Sequence, residues 1–369
     1  GTVTTDLGGE SKRTAATLTT PGAIDLSRYL AAMVGHGCRA AVLEVSSHGL
    51  DQGRASALHF DVAVFTNLTG DHLDYHPTMD EYAAAKAKLF EQLGPQACAV
   101  INSEDTYAPR MLRSCRARVL RCGSSVHADC RSEIVRANAN HSHIRFHGSW
   151  GSAEAKFPLI GAFNVRNALL ALAAADQVTG VAYDSSQVTD ALASCPPVPG
   201  RLERVVSSRV PGQGPIVLVD YAHTHDALRN VLVALRPLVP KSGLLKVVFG
   251  CGGDRDRTKR PKMAVAACEL ADRILITSDN PRSENPGAII DEILRGVPHA
   301  ARWRVEVEPD RTAAISGAID QATDCDIVLL AGKGHENSQM VGTRRYRFDD
   351  REKAAAALDQ WTKLRRGHP

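Results

Sequence analysis

Aromatic residues are scarce, at 5% of 369 residues, and no cluster of basic residues is interleaved with them. With a net charge of only +3, that scarcity argues against the charged, base-stacking surface of a nucleic-acid binder. No apolar run approaches the roughly 20 residues of a membrane-spanning helix. The opening residues also lack the charged-then-apolar layout of a secretory leader. The nine cysteines are an odd, well-spread set with no C-x-x-C pair. Neither a disulfide framework nor a zinc site is therefore expected, and a reducing cytoplasm fits best. A dinucleotide fingerprint is missing too: GCGGDR has Arg255 where the last glycine should stand, which disfavours an NAD-dependent dehydrogenase.

What is present is an ordinary globular composition, 44% hydrophobic and 23% charged, long enough for two domains of roughly 100 to 200 residues each. Residues 39–45 (RAAVLEV) and 61–66 (DVAVFT) are short, branched apolar runs that predict parallel strands. Thr78 and Glu81 form a capping-box pattern ahead of the helix DEYAAAKAKLFEQL. ACAVIN and RARVLRC follow as strands. SEIVRAN, HIRFHG and EAKFPLI predict a small antiparallel patch, and GAFNVRNALLALAAADQV a helix. The Pro-rich break PPVPG at residues 196–200 places the boundary between a domain at 1–198 and one at 199–369. Beyond it PIVLVD, LKVVFG, RILIT, WRVEVE and DIVLLAG alternate with helical patterns. That alternation predicts an α/β fold with an open, doubly wound parallel sheet, whose ligands sit beyond the strand C-termini.

The chemistry-bearing residues gather at those ends. RILIT runs into Asp279, Asn280, Pro281 and Arg282: an acid, an amide, a rigid proline and a guanidinium suited to a small zwitterion. GCGGDRDRTKRP offers backbone N–H groups, Arg255 and Lys259. AGKGHE offers Gly332 and Glu336 but lacks the G-x-x-x-x-G-K-[ST] spacing of a phosphate loop. Glu44 ends one predicted strand and His72 follows another, and together they suit a divalent cation, though either alone reads as a solvated loop residue. Lys86 alone reads as a solvated helix lysine, and Thr19 and Thr20 as a turn. Ser46, Gln52 and Arg54 add a hydroxyl, an amide and a guanidinium suited to an oxygen-rich ligand. Asn164 and Asn167 open a helix, where an amide caps it or bonds a base.

Taken together, EVSSHGL, DHLDYH, DYAHT, GCGGDRD, DNPR and GKGHE resemble the Mur ligases, and DNPR resembles the members that add meso-diaminopimelate. The resemblance spans essentially the whole chain. It implies a partial central ATPase domain followed by a Rossmann-like C-terminal domain, acting in the cytoplasm as a monomer with Mg2+ and ATP. It implies Mg2+ held by Glu44, His72 and a CO2-carbamylated Lys86, all three acting in catalysis. UDP-MurNAc-L-Ala-D-Glu would meet Thr19, Thr20, Ser46, Gln52 and Arg54. ATP would meet Asn164, Asn167, Arg201 and Asp220. Diaminopimelate would meet Arg255, Asp279, Asn280, Pro281, Arg282, Gly332 and Glu336. The family's DYAHTPDAL reads DYAHTHDAL here, with His225 expected to alter the helix start but not the chemistry. Lysine-adding relatives lack the arginine of DNPR.

One family element has no counterpart in these 369 residues: the P-loop that cradles the ATP phosphates. Residue 1 is Gly rather than Met, so the sequence is expected to be a piece of a longer chain, with the P-loop and the uridine-gripping domain upstream. A genuine start at Gly1 would instead imply a binding protein that keeps the substrate pockets without hydrolysing ATP. A folylpolyglutamate-type ligase is a third option, set aside because those relatives do not combine DNPR with GKGHE.

Overall fold

Strands buried on both faces read as unbroken apolar runs, and two such runs form the centre of the second half of the chain. Leu245–Phe249 and Ile327–Ala331 are buried at every position. The computed structural model describes residues 2, 4–9, 13–70, 75–179, 183–208 and 214–366. They pack as two units, one of Gly1–Val135, Ile144–Ala155 and Phe163–Ala193, the other of Arg136–His143, Lys156–Ala162 and Ser194–Pro369.

The first half of the chain runs β1 (Thr4–Thr5), β2 (Thr14–Ala15), α1 (Ala23–Gly35), α2 (Ser47–Asp51), β3 (Val62–Phe65), α3 (Met79–Glu91), β4 (Cys98–Asn102), α4 (Ala108–Leu112), β5 (Arg118–Gly123), β6 (Cys130–Ala137), β7 (Ser142–Gly148), β8 (Gly151–Phe157), α5 (Ala162–Thr179) and α6 (Ser185–Ala193). Strands β3 to β8 form one sheet in sequential order, parallel from β3 through β6. Thr78 caps α3, accepting from the Glu81 N–H at 3.2 Å, as the capping pattern predicts. The buried face of α3, with Tyr82, Ala83, Ala87 and Phe90, packs on Ala63, Phe65, Ala99 and Ile101 of the sheet. Phe65 and Phe90 meet edge to face at 6.3 Å.

One expectation fails here. Residues 39–45 form no strand, and Val42 is 98% exposed. A branched apolar run becomes a strand only where a neighbour takes up its N–H and C=O groups, and among the described residues none does. Glu44 therefore does not end a buried strand.

The second half runs β9 (Glu203–Val205), β10 (Ile216–Asp220), α7 (His225–Leu235), β11 (Leu245–Phe249), α8 (Lys259–Leu270), β12 (Arg273–Ile276), α9 (Pro286–Leu294), β13 (Val305–Val307), α10 (Arg311–Asp320), β14 (Ile327–Ala331), β15 (Ser338–Val341), β16 (Arg344–Arg347) and α11 (Asp350–Arg366). The sheet order is β13-β12-β11-β14-β10-β9. β10 to β14 run parallel, and β9 closes one edge antiparallel to β10. WRVEVE yields only a short strand, because Trp303 and Arg304 belong to a 3-10 turn over His299–Arg304. Helix α7 starts at His225 with Thr224 as its cap. On the face covered by α10 and α11, Val219, Val248 and Leu330 pack against Ile315, Ile319, Leu358 and Trp361. Parallel strands deliver all their C-terminal ends to one edge. The loops after β10, β11, β12 and β14 therefore share that edge.

Candidate active site

Close approach of backbones builds the edge of the second unit. A Cβ at Gly250 would lie 2.2 Å from the Thr277 carbonyl oxygen, and one at Gly253 would lie 1.9 Å from that of Pro281. Only glycine lets the loop after β11 rest on the loop after β12. The Gly253 N–H donates to the Asn280 carbonyl at 2.9 Å. Arg282 Nη1 donates to the Gly253 carbonyl at 2.7 Å. The hairpin β15–β16 joins from the other side, with Arg282 N–H donating to Met340 O at 3.0 Å and Gly342 N–H to Arg282 O at 2.7 Å.

Three non-glycine residues among those described have positive φ: Leu202 at 46°, Asp254 at 52° and Arg282 at 51°. Each is a predicted site residue or its immediate neighbour. Such a conformation costs on the order of 1–3 kcal/mol and persists where the surroundings over-determine it. Those surroundings are charged and buried. The Arg260 guanidinium donates twice to Glu284, at 2.9 and 2.8 Å, once to Glu292 at 2.8 Å and once to Gly252 O at 3.1 Å. It holds the Glu284 carboxyl down at about 2. Arg311 makes a two-pronged, fully buried pair with Asp350 at 2.8 and 2.7 Å and also donates to Ala331 O at 3.0 Å.

Inside this frame lies a cluster of charge. Lys333, with no exposed side-chain surface, meets Asp279 at 3.3 Å, Asn280 Oδ1 at 3.1 Å and Glu336 Oε2 at 3.0 Å. Asn280 Nδ2 donates to the same Glu336 oxygen at 2.9 Å, while its Oδ1 accepts from Met340 N–H at 3.0 Å. Gly332, at φ 111°, turns the chain beside Asp279. Pro281 is buried, Arg282 half-buried and Arg255 exposed. The structure thus brings Asp279, Asn280, Pro281, Arg282, Gly332 and Glu336 onto one edge. Sequence reasoning missed Lys333. Its signal was a lysine between two glycines, directly after a wholly apolar strand and three residues before an acid.

On the same edge, Arg201 lies over the Tyr221 ring at 4.7 Å, and Tyr221 meets the His335 ring at 5.2 Å. Burial, with Arg201 and Arg351 nearby, lowers the His335 pKa, which favours the neutral ring. Asp220 accepts from the Leu202 and Ala222 N–H groups, both at 2.8 Å. Burial pushes its carboxyl above the usual range. Asn164 and Asn167 belong to the other unit, on α5, the first buried and the second exposed.

In the first unit Thr20 is the hub. Its hydroxyl donates to Glu44 O at 2.9 Å and accepts from the Ser46 N–H at 2.8 Å, and its carbonyl accepts from Arg54 at 2.8 Å. Arg54 reaches Gln52 at 2.5 and 3.0 Å, and Gln52 reaches the Tyr75 hydroxyl at 3.4 Å. Thr19 meets Thr2 at 3.3 Å, and Thr2 donates to Glu44 at 2.7 and 2.8 Å. Lys86 sits over Tyr82 at 5.2 Å, and Tyr82 stacks on His76, which meets Tyr75. A continuous string of contacts therefore links Lys86 to the Thr20 cluster. His72 lies outside the described residues. Among those described, no three His, Cys, Asp or Glu side chains converge on a metal position. Glu44 supplies one hard oxygen donor, which suits an ion such as Mg2+ that keeps most of its water and binds phosphate oxygens besides. As an ammonium, Lys86 would repel such an ion; as a carbamate it would attract one.

No helix among the described residues is long and apolar enough to cross a membrane. The Mur ligase middle domain matches residues 1–175, and the Mur ligase, glutamate ligase domain matches residues 200–334. A UDP-N-acetylmuramoyl-L-alanyl-D-glutamate–2,6-diaminopimelate ligase of Thermosynechococcus vestitus is 46% identical over 355 residues, covering 95% of this chain and 70% of that protein. The enzyme of the same name from Neisseria meningitidis is 42% identical, covering 97% and 71%. A solved structure bearing that name superimposes with a TM-score of 0.63 at 36% identity, covering 96% of this chain and 72% of the other. With both domains present in order and such relatives matching it almost end to end, the chain belongs to the Mur ligase family.

Proposed function

We propose that the protein joins meso-2,6-diaminopimelate to the D-glutamate carboxyl of UDP-MurNAc-L-Ala-D-Glu at the expense of ATP, a cytoplasmic step in making peptidoglycan precursor. The γ-phosphoryl group passes to the D-glutamate carboxylate, giving ADP and an acyl phosphate. An amine of diaminopimelate attacks the acyl carbon, loses its proton, and expels inorganic phosphate as the amide forms. The observation that carries this reading is that one strand-end edge holds both Arg282, bonded to the Gly253 carbonyl, and the acids Asp279 and Glu336, which share Lys333. Guanidinium and carboxylates together match an amino acid that has both carboxylates and ammonium groups. Arg282, with Arg255, takes carboxylate, and Asp279 and Glu336 take the ammonium distal to the reacting amine.

Thr19, Thr20, Ser46, Gln52 and Arg54 hold the UDP-sugar peptide through its many oxygens. Asn167 and Asn164 serve the adenine. Arg201 serves the nucleotide from its seat over Tyr221, with Asp220 fixing the backbone on both sides of that pair. Mg2+ would be held by Glu44, with His72 and a carbamylated Lys86, and would offset the negative charge shared by phosphate and carboxylate.

Arg282→Ala tests the assignment. It is expected to cut kcat/KM for diaminopimelate by about 100-fold, the order expected when one partner of a close charge pair is removed, with the KM for ATP unchanged. Equal loss toward both substrates would remove the assignment.

A further inference from the structure

We infer that Lys333 is a positioning residue that makes Glu336 present a single oxygen to the distal ammonium of the amino-acid substrate, an inference that rests on the reading proposed above. A buried lysine is costly unless its charge is matched and its N–H groups are bonded. Here all three acceptors around Nζ come from the site itself: Asp279, Asn280 and Glu336, at 3.3, 3.1 and 3.0 Å. None is a distant structural acid.

The consequence for Glu336 follows from lone-pair geometry. Oε2 receives Lys333 at 3.0 Å and Asn280 Nδ2 at 2.9 Å. A carboxylate oxygen offers about two lone-pair directions, so Oε2 is fully used. The side chain is 31% exposed, and Oε1 is the oxygen left for a ligand. Asn280 thereby orients an acid, with its own amide oxygen already shared between Lys333 and the Met340 N–H. Charge points the same way: two carboxylates and one buried ammonium leave the cluster a single net negative charge, matched by one ammonium from the substrate. Without Lys333 the two acids repel, and Glu336 swings toward water. Because the reacting amine lies at the other end of the amino acid, the effect falls on binding of the distal centre rather than on chemistry.

The experiment is steady-state amide formation with two amino acids, meso-diaminopimelate and 2-aminopimelate. The second keeps both carboxylates and the reacting amine but lacks the distal amine. Lys333→Met is expected to raise the KM for diaminopimelate by about 10- to 100-fold, the scale of a hydrogen bond to a charged group. Its kcat and its use of 2-aminopimelate should stay within about 3-fold of wild type. Glu336→Gln should likewise raise the KM for diaminopimelate more than that for 2-aminopimelate, and the double variant should be no worse than the more impaired single variant, because both remove one unit. If Lys333→Met does not fold, Asn280→Ala removes the other donor to Oε2 and should give a smaller loss, again larger toward diaminopimelate than toward 2-aminopimelate. Equal loss toward both amino acids, or additive effects in the double variant, would overturn the inference while leaving the functional reading in place. A wild-type protein that ligates neither amino acid would overturn both.

Discussion

The two units hold their polar residues in opposite ways. In the second unit the side chains of Arg260, Arg311 and Lys333 have no exposed surface, and each is bonded to acids or carbonyls that fix the loops around it. In the first unit only Thr20 of the residues predicted to hold the UDP-sugar peptide is buried, with Gln52 exposed and Arg54 half-buried, and of the predicted metal ligands Glu44 is exposed and Lys86 half-buried. A small zwitterion has few atoms with which to repay the ordering of its pocket, so its recognition depends on groups already locked in place. A nucleotide-sugar peptide brings many more contacts and tolerates a looser surface. On the proposed assignment of ligands, rigidity follows ligand size.

That contrast can be broken most severely at Arg311. Arg311→Ala leaves Asp350 buried and unpaired, and should destabilise the second unit by about 3–5 kcal/mol, measured by urea denaturation. Replacing both partners with apolar residues of similar volume should recover most of the loss. In the first unit the matching test is Thr20→Val, which keeps the shape but removes the acceptor of the Ser46 N–H. A loss of about 1–2 kcal/mol is expected; a loss as large as that at Arg311 would erase the contrast.

The smallest effect concerns acid. Glu284 is held at about 2 by Arg260, below its ordinary 4.5. A depressed carboxyl stabilises the fold fully above the unfolded value and loses that contribution as pH falls through the folded one. The urea midpoints of wild type and Glu284→Gln should therefore differ above pH 4.5 and converge as pH falls toward about 2. Because Glu284 is partly exposed, salt should narrow the difference.

Much of this was legible in the sequence where burial is two-sided. The runs that became β11 and β14 read as strands because helices cover both of their faces, and DNPR stood out because a charged tetrapeptide ends such a run. Residues 39–45 carry the same apolar signal but no ladder, since pairing belongs to a neighbour and not to the segment itself. The hairpin β15–β16 escaped notice because its residues are half-exposed or exposed and do not alternate cleanly. Lys333 was illegible for a different reason. Its partners Asp279 and Asn280 lie 54 and 53 residues away, so its burial is a property of two loops at once. The positive φ of Leu202, Asp254 and Arg282 likewise has no compositional sign, because the constraint comes from the loops packed around each residue.

The most direct measurement is amide formation by the protein with UDP-MurNAc-L-Ala-D-Glu and ATP, comparing meso-diaminopimelate with L-lysine. Lysine keeps a distal amine but has no distal carboxylate for Arg282. The account predicts that diaminopimelate is preferred by about 100-fold or more in kcat/KM, the scale set by one desolvated charge pair, and that Arg282→Ala collapses the preference. Equal use of the two amino acids by the wild-type protein would contradict it.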